Sequence, residues 1–277
     1  MMKFSYVLAP LEDFSDNALR TLCYRHGADL TFTEMIRVEA LAKKVESVWE
    51  RIEFKDDTPT VIQISVNKEY VLKKFLSMFK PKDSFKGFNF NFGCPDPQIV
   101  KLGQGCAMIK RVAKAEKLIK IIKKNGYNAS IKLRLGMNLF EREKKVYLNL
   151  IKNVNADFFV VHSRYGTQKY NEPADFSVYP ECVDTGKAII ANGDIETKEQ
   201  VKSLKTIGLK GVMLARSAIV NPAIFDHLKD KEIPNIFVIR KEYEELALKY
   251  NSPFRYRNNV IKHLGKPRKA SQNVETG

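Results

Sequence analysis

Eight short stretches along the chain are rich in the β-branched and aromatic residues that favour strands. Between them lie stretches in which apolar residues recur every three or four positions, as on one face of a helix. Leu118 and Ile122, for example, fall on such a face. The predicted strands are residues 6–9, 30–34, 60–65, 88–92, 129–135, 157–162, 187–191 and 211–215. The predicted helices between them are residues 17–24, 70–79, 112–124, 144–153 and 197–207.

This alternation of strands and helices is typical of parallel β–α–β units. Eight such units match a (β/α)8 TIM barrel, a fold of about 250 residues. A doubly wound open sheet is the alternative, but it normally has a Gly-rich phosphate-binding turn after its first strand. This chain instead continues with Ala9-Pro10-Leu11-Glu12. The sequence therefore predicts an α/β protein, a TIM barrel with a short C-terminal helical extension.

The strand–helix pattern stops near residue 228, which sets the predicted domain boundaries. Residues 1–228 form the barrel, and residues 229–264 form the extension, with helices at 238–250 and 257–264. Residues 265–277 are polar and are predicted to be a disordered tail. Residues 229–277 contain eleven Lys or Arg against six Asp or Glu, so this part of the chain is itself basic.

The whole chain is strongly basic. It has 47 Lys and Arg against 32 Asp and Glu among its 277 residues, a formal net charge of +15. Such an excess indicates a polyanionic partner, most simply a nucleic acid. The alternative is a lysine-rich solvated surface without a specific partner, and charge by itself does not separate the two.

The cysteines and the apolar runs indicate where the protein resides. The four cysteines are too scattered for a disulfide framework, and no CxxC pair suggests a structural metal such as zinc. No apolar run reaches the roughly 18 residues that cross a bilayer. We therefore expect a cytoplasmic protein with reduced thiols, no structural metal and no membrane partner.

Polar residues follow or end seven of the eight predicted strands. Because the C-terminal strand ends of a TIM barrel carry its active site, we expect these residues to form a polar ring around the barrel mouth. Each of them alone has an ordinary structural explanation, and it is their coincidence at one rim that indicates a functional site. In chain order they are Glu12, Gln63, Asn91, Lys132, Arg134, His162, Arg164, Asn192, Asp194 and Arg216.

This ring suits flavin chemistry. The loops after strands 7 and 8 of such barrels commonly bind phosphate, and here they contain Gly193 and Arg216. Lys132 could stabilise negative charge on a reduced flavin ring, and Gln63 could pair with the donor–acceptor edge of that ring. An aldolase acting on a sugar phosphate would also use a lysine and a phosphate loop, so these residues leave both chemistries open.

Several motifs resemble those of the flavin-dependent tRNA-dihydrouridine synthases. The resemblance covers about residues 4–228 and is most specific at Asn91-Phe92-Gly93-Cys94-Pro95. The other matching segments include Ala9-Pro10-Leu11-Glu12, Lys101-Leu102-Gly103-Gln104-Gly105, Lys132-Leu133-Arg134, His162-Ser163-Arg164, Ala191-Asn192-Gly193-Asp194 and Leu214-Ala215-Arg216.

This resemblance implies an enzyme that reduces the C5–C6 bond of uridine in tRNA with FMN, itself reduced by NADPH or NADH. It assigns the role of catalytic acid to Cys94, because a thiol with a pKa of about 8.5 is mostly protonated at neutral pH. The expected FMN-binding residues are Pro10, Leu11, Glu12, Gln63, Lys132, His162, Asn192, Gly193, Asp194, Ala215 and Arg216. The expected substrate-binding residues are Asn91, Lys101, Arg134 and Arg164.

Three features depart from the family pattern. Ala215 replaces a glycine at the phosphate loop, Val66 replaces a glycine after Gln63, and the C-terminal part is short. Two other functions stay open at this point. One is an FMN-barrel oxidoreductase acting on a small molecule, such as a dihydroorotate dehydrogenase. The other is an RNA-binding flavoprotein with little catalysis.

Overall fold

The computed structural model describes residues 3–266, and its strands form one parallel sheet. The strands are β1 (Ser5–Leu8), β2 (Thr31–Phe32), β3 (Ile36–Arg37), β4 (Thr60–Ser65), β5 (Phe85–Phe92), β6 (Ala129–Leu133), β7 (Phe159–His162), β8 (Ile189–Asn192) and β9 (Gly211–Leu214). The sheet order is β1-β9-β8-β7-β6-β5-β4-β2, and β3 also pairs with β4.

The sheet closes into a barrel between β1 and β2. A parallel bridge joins Val7 to Leu30, and the amide of Leu8 donates to the carbonyl of Leu30 at 2.9 Å. Strands enclosed on both faces need side chains that tolerate full burial, and all six residues of β4 are buried. The predicted TIM barrel is confirmed, and seven of the eight predicted strands correspond to single strands of the sheet.

The second strand position differs from the prediction of one strand over residues 30–34. Two short strands replace it, because the pairing register with β4 shifts by one residue between β2 and β3. The irregular segment between them turns Met35 into the barrel mouth and buries the carboxylate of Glu34. The break in the strand therefore contributes two side chains to the region of the site.

The helices surround the barrel. They are α1 (Asn17–Arg25), α2 (Val38–Ala42), α3 (Glu46–Glu50), α4 (Glu69–Leu76), α5 (Pro97–Lys101), α6 (Val112–Lys124), α7 (Leu139–Glu143), α8 (Val146–Asn153), α9 (Tyr179–Val183), α10 (Lys198–Thr206), α11 (Arg216–Val220), α12 (Ile224–His227), α13 (Ile236–Lys249) and α14 (Phe254–His263).

The apolar periodicity of the sequence predicted the long helices but not the short ones. Helix α6 has the bounds predicted from the sequence, residues 112–124. Helices such as α5 and α7 have five residues each, which is too few for a repeating apolar face to be recognised. Within residues 3–266, no helix is both long and apolar enough to span a bilayer.

The C-terminal extension consists of α13 and α14, which pack against the barrel. Ile239, Tyr243 and Val260 are fully buried in the same hydrophobic core as the barrel strands. Because the apolar faces of these two helices are covered by the barrel, the extension is anchored to it rather than tethered by a flexible linker. Of the predicted tail at 265–277, residues 267–277 lie outside the described part of the chain.

Candidate active site

A cavity opens at the C-terminal ends of the strands, where the polar ring was predicted. All of the predicted FMN-binding residues line it, and so do Cys94, Asn91 and Arg134. Two predicted substrate-binding residues do not line it: Lys101 is exposed at the end of α5, and Arg164 is buried behind the cavity wall. The lining also includes residues that the sequence did not single out, among them Met35, Tyr170 and Ser217.

The loop that carries Cys94 is held in place by Asn91. The side-chain oxygen of Asn91 accepts hydrogen bonds from the amides of Gly93 at 3.0 Å and Cys94 at 2.9 Å. Its side-chain nitrogen donates to Gln63 Oε1 at 2.9 Å, and Gln63 Nε2 donates to Asn89 at 2.9 Å. A chain of hydrogen-bonded side-chain amides therefore fixes the position of Cys94 relative to the barrel wall.

A second hydrogen bond, from the segment that follows α5, fixes the same loop. The amide of Cys106 donates to the carbonyl of Cys94 at 2.9 Å. Gly105, next to it, has a φ of +57°, and a Cβ built on it would lie 2.4 Å from the same carbonyl oxygen. A side chain at residue 105 would push the Cys94 loop away, so the glycine allows this close approach.

The thiol of Cys94 is suited to donate a proton. Partial burial raises the pKa of Cys94 above its ordinary value, because burial disfavours the charged thiolate. The thiol is therefore protonated at neutral pH. Its loop and its protonation state together match the requirements of a general acid that faces a bound substrate.

The same cavity is rich in cationic groups. Burial, together with the charge of Arg134, lowers the pKa of Lys132 to about 8. Burial and the surrounding charges, that of Arg134 first, lower the pKa of His162 well below its ordinary value, so its imidazole is neutral at pH 7. A guanidinium can only donate, so the contact of Arg164 Nη1 with His162 Nε2 at 3.3 Å places the imidazole proton on Nδ1.

Asp194 organises the two arginines at this end. Its carboxylate accepts from Arg216 Nη2 at 2.7 Å and forms an ion pair with Arg164. Asp194 has a φ of +47°, a left-handed conformation that Asp tolerates better than most residues. Arg164 and Arg216 pair with this carboxylate, and Lys132 and Arg134 add further positive charge around His162, so this region keeps an excess of positive charge.

The backbone around this cationic end leaves little space for side chains. A Cβ on Gly193, whose φ is +117°, would lie 3.0 Å from the His162 ring and from Ala174. Ala215 has a φ of −123°, outside the left-handed region that favours glycine. The alanine that departs from the family pattern at residue 215 is therefore compatible with the backbone here.

Tyr170 is the main cavity residue that the sequence did not reveal. Its ring stacks on His162 with centroids 6.3 Å apart, and the guanidinium carbon of Arg216 lies 4.7 Å from its centroid. Its hydroxyl accepts from Arg134 Nη2 at 3.1 Å. Tyr170 lies in an irregular loop eight residues after His162, so no strand or helix period indicated it. The sequence feature that could have indicated it is an aromatic residue shortly after the end of a predicted strand.

A carboxylate network connects the cavity to the extension. Arg51 donates to Glu12 at 2.7 Å and to Glu34 at 2.5 Å, and the hydroxyl of Tyr256 in α14 donates to Glu34. Burial and the nearby Glu34 raise the pKa of Glu12 to about 7. Glu12, Asp13 and Glu34 have oxygens within 4.8 Å of one another, and Arg51 and Arg255 offset part of their charge.

Comparison with known proteins places this geometry in a family. The sequence model of the family described as "Dihydrouridine synthase (Dus)" matches residues 7–274. A Helicobacter pylori protein named "Probable tRNA-dihydrouridine synthase" is 29% identical over 244 residues, 85% of this chain and 73% of that protein. A Bacillus subtilis protein named "Probable tRNA-dihydrouridine synthase 2" is 29% identical over 232 residues, 80% of this chain and 71% of that protein.

Among solved structures, a morphinone reductase mutant in complex with tetrahydroNAD has a TM-score of 0.55 to this chain. The two are 10% identical, and the match covers 81% of this chain and 86% of the reductase. At this level of identity the similarity shows a shared barrel fold.

Proposed function

Because the chain belongs to the dihydrouridine synthase family, we propose that it reduces the C5–C6 double bond of uridine in tRNA. The reaction uses a flavin that is itself reduced by a nicotinamide cofactor. The observation that carries the proposal is the joint placement of Cys94 and the cationic cluster around Lys132 in one cavity at the barrel mouth. An acid and a cation-rich cofactor site are the two elements that this reduction needs.

The cationic end of the cavity fits FMN. The phosphate of FMN is an anion, and Arg216 lies at the N-terminal end of α11, beside the close-packed backbone at Gly193. Lys132 would neutralise negative charge on the flavin ring, and neutral His162 would lie beside it. When bound, the flavin supplies a hydride to C6 of the uracil. NADPH or NADH is the proposed source of that hydride.

Cys94 completes the reduction by supplying a proton. Hydride addition at C6 leaves negative charge on the uracil, and the Sγ–H of Cys94 donates its proton to C5. Asn91 orients the loop of Cys94 through its two amide contacts and holds the thiol above the substrate. Arg134, which lines the same cavity, would neutralise charge on the substrate.

The basic surface supplies the contacts to tRNA. A uridine must leave its base stack to reach a barrel mouth, at a cost of a few kcal/mol. Phosphate contacts from Lys and Arg side chains offset this cost, and the net charge of +15 provides many of them. Lys101, exposed on the helix that follows Cys94, and the basic residues of α14 are the proposed phosphate contacts.

A reconstituted reaction tests this function. Purified protein with FMN, NADPH or NADH and an unmodified tRNA transcript should consume the nicotinamide and add the mass of two hydrogens to one uridine. The Cys94→Ala variant, which keeps the cofactor site, is the matched control and should retain flavin binding while losing most turnover. Flavin binding without any mass change in the tRNA would contradict the proposal.

A further inference from the structure

Phe254, the first residue of α14, is an exposed aromatic residue at the barrel mouth. It is 75% exposed, and its ring has no aromatic or cation–π contact within residues 3–266. Single exposed apolar residues are common on protein surfaces and need no explanation by themselves. The position and the anchoring of Phe254 distinguish it from such residues.

The backbone on both sides of Phe254 is fixed to the rim of the cavity. Ser252 donates to Asp16, and Arg255 pairs with Asp13 at 2.5 Å. The side chain of Asn259, one turn further along α14, donates to the carbonyl of Asp13 at 3.3 Å. Asp13 directly follows the cavity-lining residue Glu12. The start of α14 is therefore held in a defined place beside the site, and the ring of Phe254 is left uncovered on it.

The charge around this ring favours a nucleic acid over an apolar partner. Arg255 and Lys262 on the same helix are exposed, and Arg257 lies between them. Although Arg255 pairs with Asp13, its side chain stays 74% exposed and open to a phosphate. Single-stranded RNA is bound by basic grooves that carry aromatic side chains, on which bases stack through a face common to all four of them. An aromatic ring flanked by arginine and adjacent to the site has this arrangement.

We propose that Phe254 is a stacking platform for a nucleobase that neighbours the target uridine in tRNA. This inference rests on the proposed function, because it assigns a contact to the same substrate. Once the uridine has entered the cavity, its neighbours in the strand lie unstacked at the rim, and one of them packs on the ring of Phe254. The residue binds substrate and takes no part in the chemical step.

Substitution separates stacking from other roles. Phe254→Ala should raise the KM for tRNA about 5-fold to 140-fold, the range of a lost base–aromatic stack, and leave kcat unchanged. Phe254→Tyr should retain the KM, whereas Phe254→Leu, apolar but without an aromatic face, should behave like Phe254→Ala. Because the ring is exposed, none of these changes removes core packing.

Phe237 provides a matched control. It is 77% exposed on α13, and its neighbour Ile236 lies beside Gly265 at the opposite end of α14. Ten residues of helix separate the two ends by about 15 Å. Phe237→Ala should therefore leave the KM for tRNA unchanged.

Fluorescence gives a readout that does not depend on turnover. The tryptophan fluorescence of Phe254→Trp should fall when tRNA is added, because a stacked base quenches indole emission. The fluorescence of Phe237→Trp should not fall. The unchanged chain, which contains Trp49, gives the baseline signal. An unchanged KM in Phe254→Ala, or equal quenching of both tryptophans, would overturn the inference.

Failure of the unchanged protein to reduce any tRNA would instead overturn the proposed function. A change in oligomeric state of Phe254→Ala with an unchanged KM would assign the ring to a protein interface and also overturn the inference.

Discussion

Tyr256 of the C-terminal helix donates its hydroxyl to the buried carboxylate of Glu34 at the barrel mouth, across 222 residues of sequence. Glu34 also accepts from Arg51, which in turn holds the cavity-lining Glu12. The extension is therefore connected by hydrogen bonds to the wall of the cavity. Its contribution to the site includes orienting barrel residues as well as offering positive charge.

Tyr256→Phe removes only the hydroxyl of this contact. The free energy of unfolding should fall by about 1–2 kcal/mol, because Glu34 loses a hydrogen bond while it stays buried. Urea unfolding measures the change, and Tyr70→Phe, at a residue that is 68% exposed, is the control. Equal stability of the two variants would show that the connection between helix and cavity contributes little.

Cys94→Ala should slow uridine reduction by about 10²–10⁴-fold, the usual range for a lost general acid. The flavin content should stay the same, because the cationic end of the cavity is unaltered. Single-turnover reduction of tRNA by the pre-reduced enzyme measures the chemical step. Cys182→Ala is the control, since Cys182 is fully buried and lies outside the cavity lining. A Cys94→Ala variant with unchanged turnover would assign the proton to another group.

Arg216→Ala should weaken flavin binding by about 1.5–3 kcal/mol, the value of a hydrogen bond to a charged group. Arg164 remains paired with Asp194 in this variant, so the carboxylate is not left without a partner. Titration of flavin-free protein with FMN gives the affinity. Arg240→Ala, on the exposed face of α13, serves as the comparison and should bind FMN normally. Equal FMN affinities of the Arg216→Ala and Arg240→Ala variants would show that the FMN phosphate does not bind at Arg216.

The lowered pKa of Lys132 predicts that the stability of the flavin-free protein depends on pH. Its pKa is lowered from 10.5 to about 8 in the folded state, so the unfolded chain binds more protons between these values. Stability from this group therefore rises as the pH increases from 8 to 10.5. Lys132→Met should be more stable than the unchanged protein at pH 7, and this advantage should shrink by pH 10. A constant difference in urea unfolding over this range would contradict the lowered pKa.

The strands and helices with a periodic sequence pattern were predictable from the sequence. The strands were visible as β-rich runs, and α6 was predicted to the residue because its apolar positions recur over thirteen residues. The C-terminal ends of parallel strands lie at the same end of a barrel, so the sequence order of strands and polar residues was enough to predict that these residues share one site.

The parts that depend on tertiary contacts were not predictable. The motif that contains Arg164 does not reveal that its side chain is buried against Asp194. Tyr170 reaches the cavity through an irregular loop, and the break between β2 and β3 follows from a register shift against β4. Each of these features is set by packing between distant segments, which leaves no periodic pattern in the sequence.

Mass spectrometry of tRNA tests the central claim most directly. In tRNA from cells that lack this gene, one defined uridine should be lighter by the mass of two hydrogens than in tRNA from unaltered cells. The gene for the unchanged protein should restore the heavier nucleoside, and the gene for Cys94→Ala should not. Identical uridine masses in the presence and absence of the gene would contradict the assignment of this protein as an enzyme that reduces tRNA uridine.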